Sequence, residues 1–151
     1  MSEILEFTLD KFTFKVRTDR FYTAEGLWLR ARGGTLRVGL SDYLQQHSGD
    51  IAFVDTLPVG TQLSPGDILF TIETIKLSAD LHSPVEGDIT AINPDMINAP
   101  EIVNSQPYEE GWVCELSPKN WESVQQNLMI PETYFEKIQQ DASKELEKDA
   151  D

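Results

Sequence analysis

Few side chains in this sequence are placed for chemistry, and Lys76 stands apart from the rest. It lies within Phe70-Thr71-Ile72-Glu73-Thr74-Ile75-Lys76-Leu77-Ser78-Ala79-Asp80, between two strand-like runs. It is therefore expected to project from or near a hairpin tip. A lysine there is long, exposed and free of obligatory packing. A solvated ammonium is a weak nucleophile by itself, but a modifying enzyme reaches it from outside. Acylation would remove its charge and extend the arm. An isolated lysine in a turn is ordinarily just solvated, so the surrounding sequence has to carry the case.

The other reactive residue types are less well placed. His47 and His82 are far apart, without the spacing of metal ligands, so no metal site is expected. Asp80 and His82 share a strand face but have no nucleophile beside them, which points to local polar contacts. Cys114 alternates with Trp112 and Leu116 on one strand face and reads as a buried core thiol. Gly33-Gly34 reads as a turn and not a phosphate loop, because no glycine-rich fingerprint opens a following helix. No residue is assigned a catalytic role, and these residues point to no enzyme activity of the chain's own.

The charge balance narrows the partners. Against 26 acidic residues stand 12 basic ones, a net of −14. Such a surface repels phosphate backbones and anionic lipid, which argues against nucleic acid and membrane partners. It favours docking to basic patches on other proteins, with salt-dependent association. The start, Met1-Ser2-Glu3-Ile4-Leu5-Glu6, lacks a basic region followed by an apolar one, and no run approaches membrane-spanning length. The single cysteine cannot form an intrachain disulfide, so a reducing cytoplasm is the simplest location. A monomer is the expected state.

These residues have to be positioned by short strands punctuated by Gly, Pro and Asp. Phe12-Thr13-Phe14-Lys15-Val16 alternates with period two. Residues 27–31 and 35–40 flank Gly33-Gly34 as a hairpin. Ser41 caps a short helix that Gly49 ends. Strands follow at 51–54, 68–72, 81–85 and 87–92, and Gly66-Asp67-Ile68 is echoed by Gly87-Asp88-Ile89. This spacing predicts a small barrel or sandwich. After a strand at 112–116, Ser117-Pro118 reads as a helix start, with Trp121, Val124 and Leu128 on one face. Pro131 starts another helix with Tyr134, Phe135, Ile138, Ala142 and Leu146 as its apolar stripe, and the charged tail frays from Asp141. Both helices are expected to pack on the barrel. The organisation expected is a unit at 1–116, including an N-terminal extension, and helices at 117–151 ending in a mobile acidic tail.

Taken together, Glu73-Thr74-Ile75-Lys76 and Ala79-Asp80-Leu81-His82-Ser83-Pro84-Val85-Glu86-Gly87 resemble the lipoylation site of the glycine cleavage system H protein family. That family has a Glu-Ser-Val-Lys type turn and a following Ala-Pro-Val-x-Gly. Further matches occur in the same order: Val38-Gly39-Leu40-Ser41-Asp42-Tyr43, Gly49-Asp50-Ile51, Leu57-Pro58-Val59-Gly60, Pro100-Glu101-Ile102-Val103-Asn104, Pro107-Tyr108 and Gly111-Trp112. The resemblance spans roughly 22–112. It implies a mainly β fold with flanking helices, the barrel-sandwich hybrid of lipoyl and biotinyl domains, here with C-terminal helices. It also implies covalent lipoate on Lys76, with Glu73 and Gly87 in the positions that the lipoylating enzyme recognises.

The implied function is shuttling of intermediates between partner enzymes, with reoxidation by a dihydrolipoyl dehydrogenase-type enzyme. Two pathways are open. The cargo is an aminomethyl group in glycine cleavage, or sulfur intermediates in an H-protein-like lipoate-binding protein of a heterodisulfide-reductase-like sulfur oxidation. The second is raised by departures from the family pattern. Gly26-Leu27 stands for a His-Glu pair, expected on a surface near the working end, and Glu109 replaces a glycine. Leu77 follows the lysine where a small residue is common. The apolar neighbours of Lys76 also resemble a biotin carrier's Met-Lys-Met, and an unmodified regulatory paralogue is the remaining alternative.

Overall fold

A two-residue turn at Asp10 and Lys11, with Asp10 at φ 58°, closes strands β1 (Ile4–Leu9) and β2 (Phe12–Arg17) into an antiparallel hairpin. Asp tolerates this left-handed conformation better than most residues. The sequence reading assigns only the second of these strands. In the computed structural model, residues 3–150 are described. Met1 and Ser2, at the start of the expected 1–116 unit, and Asp151, the last residue of the acidic tail, lie outside the described residues.

The chain continues through β3 (Phe21–Tyr22), β4 (Leu27–Arg32) and β5 (Thr35–Leu40). Gly33 and Gly34, at φ 52° and 87°, make the expected tight turn between the last two. Helix α1 (Asp42–Ser48) begins at Ser41, whose Oγ accepts the Leu44 N–H at 3.2 Å, and ends at Gly49. Strands β6 (Ile51–Thr56), β7 (Gln62–Leu63), β8 (Ile68–Thr74), β9 (Ser78–His82) and β10 (Gly87–Ile92) follow. Then come α2 (Asp95–Asn98), α3 (Ile102–Ser105), β11 (Cys114–Pro118), α4 (Trp121–Val124) and α5 (Pro131–Ala150).

These strands form a hairpin and two larger antiparallel sheets. The order β3-β4-β5-β11-β10-β7 makes one layer and β6-β8-β9 the other. Gly66-Asp67-Ile68 leads into β8 and Gly87-Asp88-Ile89 opens β10, so the echoed motif feeds one strand in each layer. Apolar side chains of both layers meet in one core, among them Leu27, Leu29, Val38, Val54, Phe70, Ile72, Leu81 and Ile89.

A second core lies behind β4. Phe14, Val16, Tyr22, Trp28, Tyr134, Ile138 and Ala142 pack together there, joining β2, β3, β4 and α5. Strand β4 is thus buried on both faces, with Leu27 and Leu29 on one side and Trp28 on the other. Tyr22 and Tyr134 stack at 4.4 Å with parallel rings, and the Tyr134 hydroxyl meets Ser41 Oγ at 2.6 Å. Outer-edge backbone groups of β2 are capped by side chains. Asp42 accepts the Lys15 N–H, and Tyr108 and Gln46 donate to the Lys15 and Thr13 carbonyls.

Several sequence-based expectations change. Ser117-Pro118 does not start a helix: β11 runs through Pro118, which pairs with Gly87. Proline is tolerated at this strand end because it needs no ladder N–H there. The helical face of Trp121, Val124 and Leu128 does pack on the first core. However, it is carried by the short α4 and a 3₁₀ turn at Gln125–Asn127. The returning strand after Lys76 ends at His82 instead of continuing to Val85, because Ser83 and Pro84 turn the chain. From Asp141, where fraying is expected, the tail is helical to Ala150, with Lys137 Nζ 2.6 Å from Asp141 and His47 Nε2 2.6 Å from Glu145. The long helix follows from its docking, which propensity alone does not reveal.

Gly39 is the tightest point of the second core. A Cβ built there would lie 2.6–2.8 Å from three atoms of the Trp28 ring. Trp28 is itself fixed by a 2.8 Å bond from its Nε1 to the Pro107 carbonyl. Gly39→Ala is therefore expected to destabilise the fold by about 1–3 kcal/mol, read as a lower urea midpoint with an unchanged slope.

Candidate functional site

Strands β8 and β9 form the hairpin that carries Lys76. Their register pairs Ile72 with Ala79 and Glu73 with Ser78, and β6 covers the other edge of β8. Ile72 and Leu81 anchor the hairpin in the core, while Ile75, Lys76 and Leu77 form the tip beyond it. The Thr74 N–H donates to the Leu77 carbonyl at 2.8 Å and closes the turn. Thr74 Oγ1 then accepts the Lys76 and Leu77 N–H groups at 3.2 and 3.1 Å. A threonine just before a turn satisfies amides that would otherwise point at water.

Lys76 is exposed, and no hydrogen bond or ion pair holds its Nζ among the described residues. The preceding Ile75 is 97% exposed, which places the tip clear of the body. The amine can thus enter another protein's active site without breaking a contact of its own. Glu73 is exposed near the foot of the same turn, opposite Phe53 of β6. Gly87 lies elsewhere. It sits in the other sheet, paired with Leu63 and Pro118, and a Cβ there would be 2.3 Å from the Ser117 carbonyl oxygen. Close approach of β10 and β11 is a sufficient reason for glycine at 87.

At the far end of β9, the sequence leaves His82 without an assigned partner, and the structure supplies Glu25. One Glu25 oxygen accepts the His82 backbone N–H at 2.9 Å, and the other lies 2.7 Å from Nδ1. This ties the turn before β4 to the carrier hairpin. Asp80 accepts from the Thr71 hydroxyl across the hairpin at 2.8 Å. Asp80 makes a local contact, as expected, whereas the partner of His82 is distant in sequence and only folding brings it there.

The departure at 26 and 27 has a different setting from the surface one expected, while Glu109 is exposed. Leu27 is wholly buried in the first core. Gly26 is buried too, at φ 102°, and a Cβ there would lie 3.0 Å from Leu44 and 3.3 Å from the Tyr134 hydroxyl. Glu109 faces Arg17 and Arg20 at 3.6 and 3.8 Å. Arg20 is buried over the Trp28 and Tyr108 rings, at 4.4 and 5.2 Å. Burial would raise the Asp19 carboxyl, but hydrogen bonds from Arg17 and Arg20 outweigh it and hold Asp19 below its usual range. Gly26 thus borders α1 and α5, and Glu109 faces Arg17 at the end of the N-terminal hairpin.

Two antiparallel layers around one core, with a lysine presented alone on a hairpin tip, define a lipoyl-domain-like barrel-sandwich hybrid. The sequence model described as "Glycine cleavage H-protein" matches residues 20–141, and the chain belongs to that family. It is 35% identical over 138 residues to "Glycine cleavage system H protein 4" of Aquifex aeolicus, covering 91% of this chain and 80% of that one. It is 44% identical over 115 residues to the glycine cleavage system H protein of Chlorobium phaeobacteroides, covering 76% and 90%. Among solved structures, a glycine cleavage system H protein from Mycobacterium marinum superposes with a TM-score of 0.65 at 30% identity. That alignment covers 74% of this chain and 98% of the other. The β1–β2 hairpin and the end of α5 lie outside the stretch that the family model matches.

Cys114 has no part in the site. It is buried on β11, and burial pushes its thiol up to about 12. Native protein at pH 8 is expected to react with a thiol reagent at least about a thousandfold more slowly than unfolded chain. Rapid labelling without unfolding would show that the thiol is accessible.

Proposed function

We propose that this chain is a non-catalytic lipoyl carrier, with lipoate attached as an amide to Lys76 Nζ. The single observation that carries the reading is the presentation of Lys76: exposed, unpaired and held on a closed hairpin tip, in a chain of the H-protein family. The group would supply a dithiol–disulfide couple. The chain's own residues do the rest: Ile72 and Leu81 root the hairpin in the core, and Thr74 shapes its tip. Tethering a group to a rigid body raises its effective concentration at each docked partner.

Glycine cleavage is the pathway this reading favours, with an aminomethyl group as cargo. The names of the relatives support it. A sulfur cargo would draw on positions 26, 27 and 109, and these are engaged within the chain itself: Gly26 beside Leu44 and Tyr134, Leu27 in the inter-sheet core, and Glu109 facing Arg17 and Arg20. The partners proposed are a lipoylating enzyme, the enzymes that load and unload the arm, and a dihydrolipoyl dehydrogenase-type reoxidant. With a net charge of −14, the carrier would meet them at basic surfaces. We also propose that it works as a monomer in the cytoplasm, where the lone buried thiol is at home. Glu73 would be read directly by the lipoylating enzyme. Gly87 would act indirectly, by letting β10 lie against β11.

Incubation with lipoate, ATP and a lipoate ligase should add one lipoyl amide to wild type and none to Lys76→Arg, by intact mass. Modification of the arginine variant, or none of wild type, would overturn the assignment. Glu73→Ala is expected to slow lipoylation about tenfold while leaving stability within about 0.5 kcal/mol, since its side chain is exposed. Unchanged lipoylation kinetics would remove Glu73 from the recognised surface.

A further inference from the structure

We infer that Thr74 is the positioning residue of the carrier tip: its hydroxyl fixes the conformation in which Lys76 is offered to the modifying enzyme. The inference rests on the lipoyl-carrier reading and adds to it a residue that acts through Lys76. A side-chain hydroxyl has one donor and two acceptor sites, and Thr74 uses all three within this one turn. It accepts the Lys76 N–H at 3.2 Å and the Leu77 N–H at 3.1 Å, and it donates to the Leu77 carbonyl at 3.4 Å. Its own backbone N–H donates to the same carbonyl at 2.8 Å. Four contacts therefore run from one residue into the two residues that follow Ile75.

Side-chain packing does little to hold the tip. Ile75 is 97% exposed, Leu77 is partly exposed, and Lys76 has no partner for its amine among the described residues. A three-residue tip without packing would sample many conformations, as projecting loops do. Thr74 itself is anchored, since it pairs with Ile51 of β6 at the end of β8. The hydroxyl thus transfers the rigidity of the sheet to the backbone of Lys76 and leaves the lysine side chain free. This is the combination a carrier needs: a fixed base and a mobile arm.

If the enzyme accepts one tip conformation, its apparent affinity is reduced by the fraction of molecules outside it. Loss of the clamp should therefore raise KM for the apo-carrier and leave kcat at saturation nearly unchanged. Thr74→Val keeps the β-branched shape and removes the hydroxyl, and Thr74→Ser keeps the hydroxyl and removes the methyl. The expected result for Thr74→Val is a KM for lipoylation raised about tenfold, with kcat within about twofold of wild type. Thr74→Ser should restore the wild-type KM. Thr74→Ala should match valine if the hydroxyl, and not the shape, is what matters.

Amide hydrogen exchange on the unmodified protein gives a readout that does not depend on lipoylation. The Lys76 and Leu77 amides should exchange at least about tenfold faster in the valine variant, while the Ile72 amide in the strand is unchanged. Equal exchange in wild type and variant would overturn the clamp. Faster exchange with an unaltered KM would overturn its positioning role. Wild type that takes up no lipoate would instead overturn the underlying reading, with the exchange result still deciding whether the clamp exists.

Discussion

Trp28 lies with its indole against the bare backbone of Gly39 and its N–H on the Pro107 carbonyl, while Arg20 covers its exposed flank. Its neighbours Leu27 and Leu29 point the other way, into the core between the two large sheets. One strand therefore separates two apolar interiors and contributes to both. A strand buried on both faces has no solvent side, so its register is fixed by packing in both directions. Strand β5 takes its alignment from β4, and β11 and β10 follow in turn. The carrier hairpin closes the opposite layer over that frame.

The second interior accounts for the setting of several positions that depart from the family pattern. The β1–β2 hairpin and α5 bring aromatic rings to the outer face of β4, and Tyr134 stacks on Tyr22 there. Room for α1 and the Tyr134 hydroxyl depends on the bare backbone of Gly26. The hairpin brings Arg17 and Arg20 follows it, and Asp19 and Glu109 face them. Read along the sequence, Gly26, Leu27 and Glu109 look like lost or altered surface groups. In the folded chain Gly26 and Leu27 are buried, and Glu109 faces Arg17 and Arg20.

At the working end the design is the reverse of the core. The tip carries almost no packing, and its order comes from hydrogen bonds returned to the end of a strand. Ile72 and Leu81 tie the hairpin to the interior, and Glu25 secures His82 at its far end. Lys76 is consequently held by its backbone and not by its side chain. This division between backbone and side chain is what the proposed attachment of a carried group at Lys76 would require.

Much of this was legible in the residues. Lys76 between strand-like runs, the Gly33-Gly34 turn, the Ser41 cap with Gly49 at the helix end and the buried Cys114 are local signals, set by neighbours within a few positions. The family match rests on such short segments too, which is why the fold and the presented lysine could be expected. The partners of distant segments could not be. Glu25 on His82, Pro118 paired with Gly87 and the burial of Gly26 and Leu27 join positions that alternation and turn chemistry do not connect. The same holds for the pairing of α5 with α1, where His47 meets Glu145. By itself the sequence determined most of the longer strands, their turns and the position of the lysine between two of them, because those follow from local periodicity and backbone preference. Only the tertiary structure decided which polar groups face solvent, because burial depends on what the rest of the chain brings against them.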